Sequence, residues 1–406
     1  MTQRLYYHDS FLYSFEAQVL ECVERDDKHA ITLDRTAFYP TSGGQVHDTG
    51  TVIVDNREVA VIEVSDNEED GTILHFTSEP VAIGTRIRGL IDAARRRDHM
   101  QQHSGQHVLS AAFVRLFDAP TVSFHMGDES CTIDLAVKSL APEQIAQAER
   151  LANEIVTEDR PVMIRFVSPD EARKLDLRKL PPKQIGDLRL IDIADFDLTA
   201  CGGTHVRSTG QISAILVRKV ENVKQGMRVE FVCGLRAVST ARHDYTTLTE
   251  TAGLLSTHIH ELPQQVRKTI QESKLAAKAE QKLLAELAEF YAERWLAQSS
   301  GAPRIVIRVF PERDAAFVKL LAQKLTVGKT DVIALLACGA GQPALVFAQS
   351  PGQKSNMDKL LKESMAQLGG RGGGTADLAQ GGLPAQAVNW KDIESVLVDI
   401  ARRLKS

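Results

Sequence analysis

Over the first 92 positions apolar residues fall in short alternating runs, HAITLDRTAFYP, GTVIVDNREVAVIEV and GTILHF, broken by turn formers at Asp55-Asn56 and Gly71. A period of two with such breaks predicts short strands, and their succession predicts a small antiparallel β-barrel over residues 1–92. From 93 to 117 the period lengthens: Val108, Ala111, Ala112 and Leu116 recur at three- and four-residue spacing, which places a helix there. A second amphipathic helix is predicted over 141–158, and strands follow at PVMIRFV, LRLIDI, GQISAILVRKVENV and MRVEFVCG. Residues 93–240 read as one α+β domain.

Between 241 and 300 the chain turns rich in Ala, Glu, Lys and Leu, and Ile270, Ala277, Leu284 and Tyr291 repeat every seven residues, with Leu283, Leu287 and Phe290 widening the stripe. The intervening heptad positions Ser273 and Glu280 are polar, which argues for a helical hairpin or spacer and against a sustained coiled coil. From 301 to 406 the order is strand (RIVIRVF), helix (AAFVKLLAQKL), strand (DVIALLACG), strand (ALVFAQS), helix (NMDKLLKESMAQL), a glycine-rich loop and a terminal helix. That is a separate small α/β domain with Leu345, Val346 and Phe347 in its core. The fold class is α+β and multidomain, in keeping with a chain of 406 residues.

At 43% hydrophobic and 25% charged residues the chain has an ordinary globular composition. The opening MTQRLYYHDSF has no apolar core of a signal peptide, and no run of about eighteen apolar residues could cross a bilayer, so a cytoplasmic location without membrane contact is expected. Five scattered cysteines, Cys22, Cys131, Cys201, Cys233 and Cys338, argue against a disulfide framework. A net charge of −5 argues against indiscriminate binding of polyanions, but affinity for nucleic acid depends on local basic patches that a total hides.

Two short motifs carry the chemistry. His103 and His107 stand four apart on the predicted helix, so their imidazoles lie one turn apart on one face. Cys201 and His205 are four apart in CGGTH, where two glycines permit the tight backbone that aims a thiolate and an imidazole at one point. Imidazole with thiolate suits Zn2+, one ion per chain, whereas Ca2+ or Mg2+ would want carboxylates. His99 lies four residues before His103 on the same face, and spacing alone leaves open which histidine of the three is spare.

RTAFYPTSGGQ (35–45), HSGQH (103–107), CGGTH (201–205) and KQGMRVEF (224–231) together resemble the editing domain of alanyl-tRNA synthetase, and still more the free-standing alanyl-tRNA editing proteins. LGGRGGGTADLAQGG (368–382) is similar to the last domain of the same synthetase, as in the long form of the free-standing family. The 92 residues before the helix leave no room for an adenylation domain, so charging of tRNA is not expected. The resemblance implies hydrolysis in trans of the ester joining misplaced serine, or glycine, to alanine-specific tRNA, at a zinc held by His103, His107, Cys201 and His205. A pocket built for alanine rejects these near-isosteres weakly, so a second sieve is needed.

The resemblance further implies Thr36 as the contact to the serine hydroxyl, Gln45 as the group positioning ester or water, and the amides of Gly43 and Gly44 as oxyanion donors. His47 and Asp48 read as supporting or surface residues. Basic groups at Arg95, Arg96 and Arg97, at Arg173, Lys174, Arg178 and Lys179, and at Arg218, Lys219, Lys224 and Arg228 are candidate phosphate contacts. The loop Gly369–Gly382, with Arg371, lacks the Walker lysine and is assigned to tRNA or to self-association of the C-terminal domain as a homodimer. The competing readings are a non-catalytic tRNA-binding or synthetase-associated protein that keeps a structural zinc, and hydrolysis of another small aminoacyl ester.

Overall fold

A computed structural model describes residues 2–25, 28–67, 71–179, 186–224, 226–384 and 389–405. The chain forms two compact units, Met1–Glu250 and Thr251–Ser406. The first opens with six antiparallel strands, β1 (Ser14–Arg25), β2 (Lys28–Leu33), β3 (Gly50–Val54), β4 (Arg57–Asn67), β5 (Thr72–Thr77) and β6 (Arg86–Ile91), closed into a barrel in the order β1-β2-β5-β4-β3-β6. The β3–β4 hairpin turns on Asp55 and Asn56 with φ of 47° and 65°, left-handed values that asparagine and aspartate tolerate and that match the twist of a two-residue hairpin. Val52, Val61, Val64, Ile31, Leu33 and Ile73 fill the barrel. The strands β1 and β6 lie outside the runs singled out in the sequence, although β1 alternates regularly with Phe15, Ala17 and Val19 inward.

Helix α1 (Ala93–Phe117) starts on Asp92, whose carboxylate accepts from the amides of Ala94 and Arg95, and stops on Asp118 in a left-handed conformation. Its middle is buried on every side, so it runs through the unit rather than lying on it. The strands β7 (Thr121–Met126), β8 (Cys131–Leu135), β12 (Ile215–Val223) and β13 (Gly226–Cys233) form a four-stranded sheet in the order β12-β13-β8-β7. Gly105 in HSGQH lets this sheet approach, since a Cβ there would stand 2.2 Å from Sγ of Cys233. A three-stranded antiparallel sheet, β9 (Val162–Val167), β10 (Leu188–Ile193) and β11 (Asp197–Ala200), carries CGGTH at its end, and α2 (Pro142–Thr157) packs on α1. Gln225 of KQGMRVEF lies outside the described residues.

Segments 1–92, expected as a barrel subdomain, and 93–240 lie in one unit. One bond between them is Arg96, fully buried, whose guanidinium meets Asp48, the Ser10 carbonyl at 2.8 Å and the Ala37 carbonyl at 2.6 Å. Of the two forms expected here, helical hairpin or spacer, residues 262–298 form a single helix, α4 (Leu262–Gln298), preceded by α3 (Gly234–Leu254). Only the last third of α4 packs, through Leu284, Leu287, Ala288, Tyr291, Ala292 and Trp295, on the second unit's core. That core covers a five-stranded sheet of Arg304–Phe310, Val332–Cys338, Ala344–Gln349, Leu378–Gly382 and Arg371–Gly374, in that spatial order. The glycine-rich segment read as a loop is thus a hairpin, in which Gly372 faces Gly381 so closely that a Cβ would meet its Cα at 2.3 Å.

Candidate metal centre

The structure brings His103, His107, Cys201 and His205 together, with one ligand atom from each lying within 4.8 Å of all the others. The three imidazoles are buried and Cys201 is half-buried. Sγ of Cys201 stands 3.5 Å from Nε2 of His103 and 3.4 Å from Nε2 of His205. Zinc–sulfur and zinc–nitrogen bonds of about 2.3 and 2.0–2.1 Å at a tetrahedral angle would set these atoms roughly 3.5–3.6 Å apart, so the residues present fit a zinc ion. His99, one turn before His103 on α1, is buried with its Nδ1 unpartnered and does not join the four.

Each imidazole is held from behind. Nδ1 of His103 lies 2.7 Å from Oε1 of Gln45, an atom that can only accept, so the proton sits on Nδ1 and the Nε2 lone pair faces the centre. Oε1 of Gln45 also accepts from the amide of Thr204 at 3.1 Å, and its Nε2 donates to Oγ1 of Thr204 at 2.8 Å. Nδ1 of His205 meets Oγ of Ser104 at 3.0 Å, and that hydroxyl accepts from the amide of Val206 at 3.1 Å. Nδ1 of His107 is 3.5 Å from Oδ2 of Asp197, an ion-pair distance without hydrogen-bond geometry, and Arg178 grips the same carboxylate at 2.6 and 3.0 Å.

Burial opposes ionisation of Cys201, but the positive potential of His103, His205 and His107 outweighs it and holds the thiol well below its ordinary range. Burial likewise pushes His205 well below the usual imidazole range, against the attraction of Cys201. Burial pushes His107 the same way, yet Cys201 and Asp197 prevail and raise it. The centre thus favours a thiolate with a positive charge beside it, which is the charge separation a bound cation would take over. The amide of Gly203 donates to the sulfur at 3.3 Å.

The turn PTSGGQ borders the centre through Gln45 and Phe124. Ser42 and Gln45 exchange backbone hydrogen bonds of 3.0 and 2.9 Å around Gly43 and Gly44, and the Phe124 ring beside Gly44 stacks on His103 at 5.4 Å between centroids. Gln45, expected to position ester or water, spends its side-chain amide on His103 and Thr204. Thr36 is fully buried: Nδ1 of His75 must donate to the Ile31 carbonyl at 3.2 Å, so Nε2 accepts the Thr36 hydroxyl at 2.8 Å, and the Phe38 amide donates to Thr36 at 3.1 Å.

The basic clusters are largely paired. Lys219 meets Glu221 at 2.6 Å, Arg228 meets Asp134 at 2.7 Å, Arg173 meets Asp170 at 3.0 Å, and Arg218 pairs with Asp244. Arg95 donates to the His47 carbonyl at 3.1 Å. Arg96, expected to face phosphate, is inside the protein on Asp48, which is itself fully buried rather than a surface group. Arg97, Lys224 and Arg371 are exposed and have no carboxylate partner among the described residues. The buttresses Ser104, Asp197 and Thr204 went unseen in the sequence; only Ser104 and Thr204 lie inside the motifs that could have drawn attention to them.

Residues 5–95 match the model of class II (A) tRNA synthetases, and residues 188–229 match the second additional domain of threonyl and alanyl tRNA synthetases, a segment that holds both Cys201 and His205. The alanyl-tRNA editing protein AlaX-L of Pyrococcus horikoshii is 29% identical over 97% of both chains. The chain is thus similar to an alanyl-tRNA editing protein along nearly its whole length. The alanine–tRNA ligase of Pyrococcus abyssi is 32% identical over 98% of this chain, which spans only 43% of the ligase. The C-Ala domain of Aquifex aeolicus alanyl-tRNA synthetase is 28% identical, with a TM-score of 0.21, over 24% of this chain and 96% of that one. No helix among the described residues is long and apolar enough to cross a membrane.

Proposed function

We propose that this chain is a trans-editing hydrolase of the cytoplasm that deacylates tRNA(Ala) mischarged with serine or glycine, using one zinc ion held by His103, His107, Cys201 and His205. The observation that carries the reading is the convergence of those four side chains, with the Nε2 of two imidazoles 3.4–3.5 Å from one buried-side sulfur and their Nδ1 atoms held by Gln45 and Ser104. The kinship to an alanyl-tRNA editing protein along nearly the whole chain supports the substrate class.

When bound, Zn2+ supplies a Lewis acid for the ester carbonyl and brings the pKa of a coordinated water to about 7, which requires one ligand position to be open or displaceable. Water adds to the acyl carbon, the bond to the terminal ribose oxygen breaks, and that oxygen leaves with a proton. Gly43 and Gly44, whose amides have no acceptor among the described residues, are the donors for the oxyanion. Gln45 holds His103 in the tautomer the centre needs. Thr36, its proton committed to His75, keeps one acceptor lone pair for a serine hydroxyl, which the methyl of alanine could not fill.

Arg97, Lys224 and Arg371, together with the exposed Lys174 and Lys179, are the candidate contacts to tRNA phosphate, and residues 301–406 contribute tRNA binding and self-association. A deacylation assay with serine- and alanine-charged tRNA(Ala), with and without chelator, tests the reading. Release of serine, sparing of alanine and loss of activity on chelation are expected. Tight tRNA binding with serine left in place would instead mark a non-catalytic binder.

A further inference from the structure

Two arginines are buried in the described residues, Arg96 and Arg189, and they differ in what neutralises them. Arg96 has Asp48; Arg189 has no carboxylate among the described residues, and its Nη2 has no partner of any kind. A buried guanidinium without a carboxylate beside it is costly, so its retention calls for a reason. Its contacts supply one. Nη1 donates to the carbonyl of Cys201 at 2.6 Å, and Nε donates to the carbonyl of Tyr7 at 2.8 Å. The main-chain carbonyl of Arg189 accepts from the amide of Cys201 at 3.1 Å, where the β10–β11 ladder ends.

Both backbone polar groups of Cys201 are therefore held by one residue. The next residue, Gly202, has no side chain to fix the turn, and the Tyr7 ring lies both beside it and against the Arg189 guanidinium, at 5.6 Å. Of the four converging side chains only Cys201 lies outside a helix or a run of buried residues, so its sulfur depends most on what grips its backbone.

We propose that Arg189 is the positioning residue of the centre: it clamps Cys201 to Tyr7 and so sets the direction of Sγ. This rests on the metal-centre reading above but not on the deacylation reading. The test is titration of the full chain with Co2+ alone, followed by competition with Zn2+, reading the sulfur-to-cobalt charge-transfer band and the dissociation constant. Arg189→Met is expected to weaken binding by about 10- to 100-fold, the usual cost of losing a group that orients a ligand, and to diminish the charge-transfer band relative to the wild type. Arg189→Lys keeps a cation but can reach only one of the two carbonyls, and is expected to fall between.

Arg236→Met serves as the comparison, because Arg236 also ties a backbone carbonyl, that of Gly127, but touches none of the four residues; it should lower the melting temperature and leave Co2+ affinity unchanged. Wild-type affinity and spectrum in Arg189→Lys, or in a folded Arg189→Met, overturn the proposal while the centre stands. A wild-type chain that binds neither metal overturns the centre and this role together, whatever the tRNA assay shows.

Discussion

Oε1 of Gln45 lies 2.7 Å from Nδ1 of His103 and fixes which nitrogen of that ring carries its proton. Replacing Gln45 by Leu leaves two buried donors, Nδ1–H of His103 and the Thr204 amide, without an acceptor. A loss of metal affinity of about 10- to 100-fold is expected, with a stability cost of about 1–3 kcal/mol. Gln45→Glu, which keeps an acceptor, should retain most of the affinity. Equal affinity in the Leu variant and the wild type, measured by metal titration, would show that the contact orients nothing.

Removal of metal should both inactivate and destabilise the protein. If zinc is present at a thousandfold over its dissociation constant, binding adds about 4 kcal/mol to the folded state. Thermal unfolding with and without chelator should separate by several degrees in the wild type, and the two curves should coincide in Cys201→Ala, which is also expected to have no deacylase activity.

Much of this centre was legible and much was not, and the difference is one of range. The pairs His103/His107 and Cys201/His205 are each four residues apart, so local geometry announces them; Gln45 is 58 residues from His103, and nothing local ties them. Arg95, Arg96 and Arg97 look alike in sequence, but Asp48 takes the middle one into the core. The segment 369–382 read as a loop because glycine carries no alternating pattern, whereas the structure uses bare backbone to bring Gly372 and Gly381 into one ladder. The barrel announced itself through β2 to β5, short runs rich in β-branched and aromatic residues set between turn formers.

Arg96 gives a prediction that separates stability from tRNA binding. Arg96→Met leaves Asp48 charged and unpaired in the interior, which is expected to cost about 3–5 kcal/mol. Because Arg96 does not reach solvent, the salt dependence of tRNA affinity should stay that of the wild type, while Arg97→Ala and Lys224→Ala should each reduce the slope of log affinity against log salt by about one. A shallower salt slope in a folded Arg96 variant would return it to the phosphate contacts.

His75 makes stability depend on pH with a definite sign. Burial pushes its pKa down from the ordinary 6.5 to about 4, against the hydrogen bond to Ile31. The unfolded chain therefore takes up a proton at this site while the folded one does not. The contribution is fully present above pH 6.5 and is lost as the pH falls toward 4, below which no more is lost; a shift of that size corresponds to about 3 kcal/mol. His99, pushed to about 3 by burial and by Arg95, adds a loss of the same sign. Denaturant unfolding at pH 7, 5.5 and 4 should show this decline in the wild type and a shallower one in His75→Gln, which keeps hydrogen-bonding groups beside Thr36 but cannot titrate. Parallel declines in the two proteins would place the acid sensitivity elsewhere.

Gly203 packs against the centre where no side chain fits. A Cβ there would lie 2.1 Å from Cε1 and 2.3 Å from Nδ1 of His103, and 3.0 Å from Oε1 of Gln45. His103 cannot yield without breaking its bond to Gln45 and turning its Nε2 from the sulfur, and it is pinned on its other face by Phe124. Gly203→Ala should therefore abolish metal binding and deacylation while leaving the circular dichroism of the fold near that of the wild type. Gly202→Ala is the matched control, since its Cβ would stand 3.5 Å from the Tyr7 hydroxyl, an ordinary contact, and metal affinity should change by less than about threefold, well below the usual loss for a group that orients a ligand. If Gly203→Ala bound zinc as tightly as Gly202→Ala, the packing of the second glycine against His103 would not be what shapes the site.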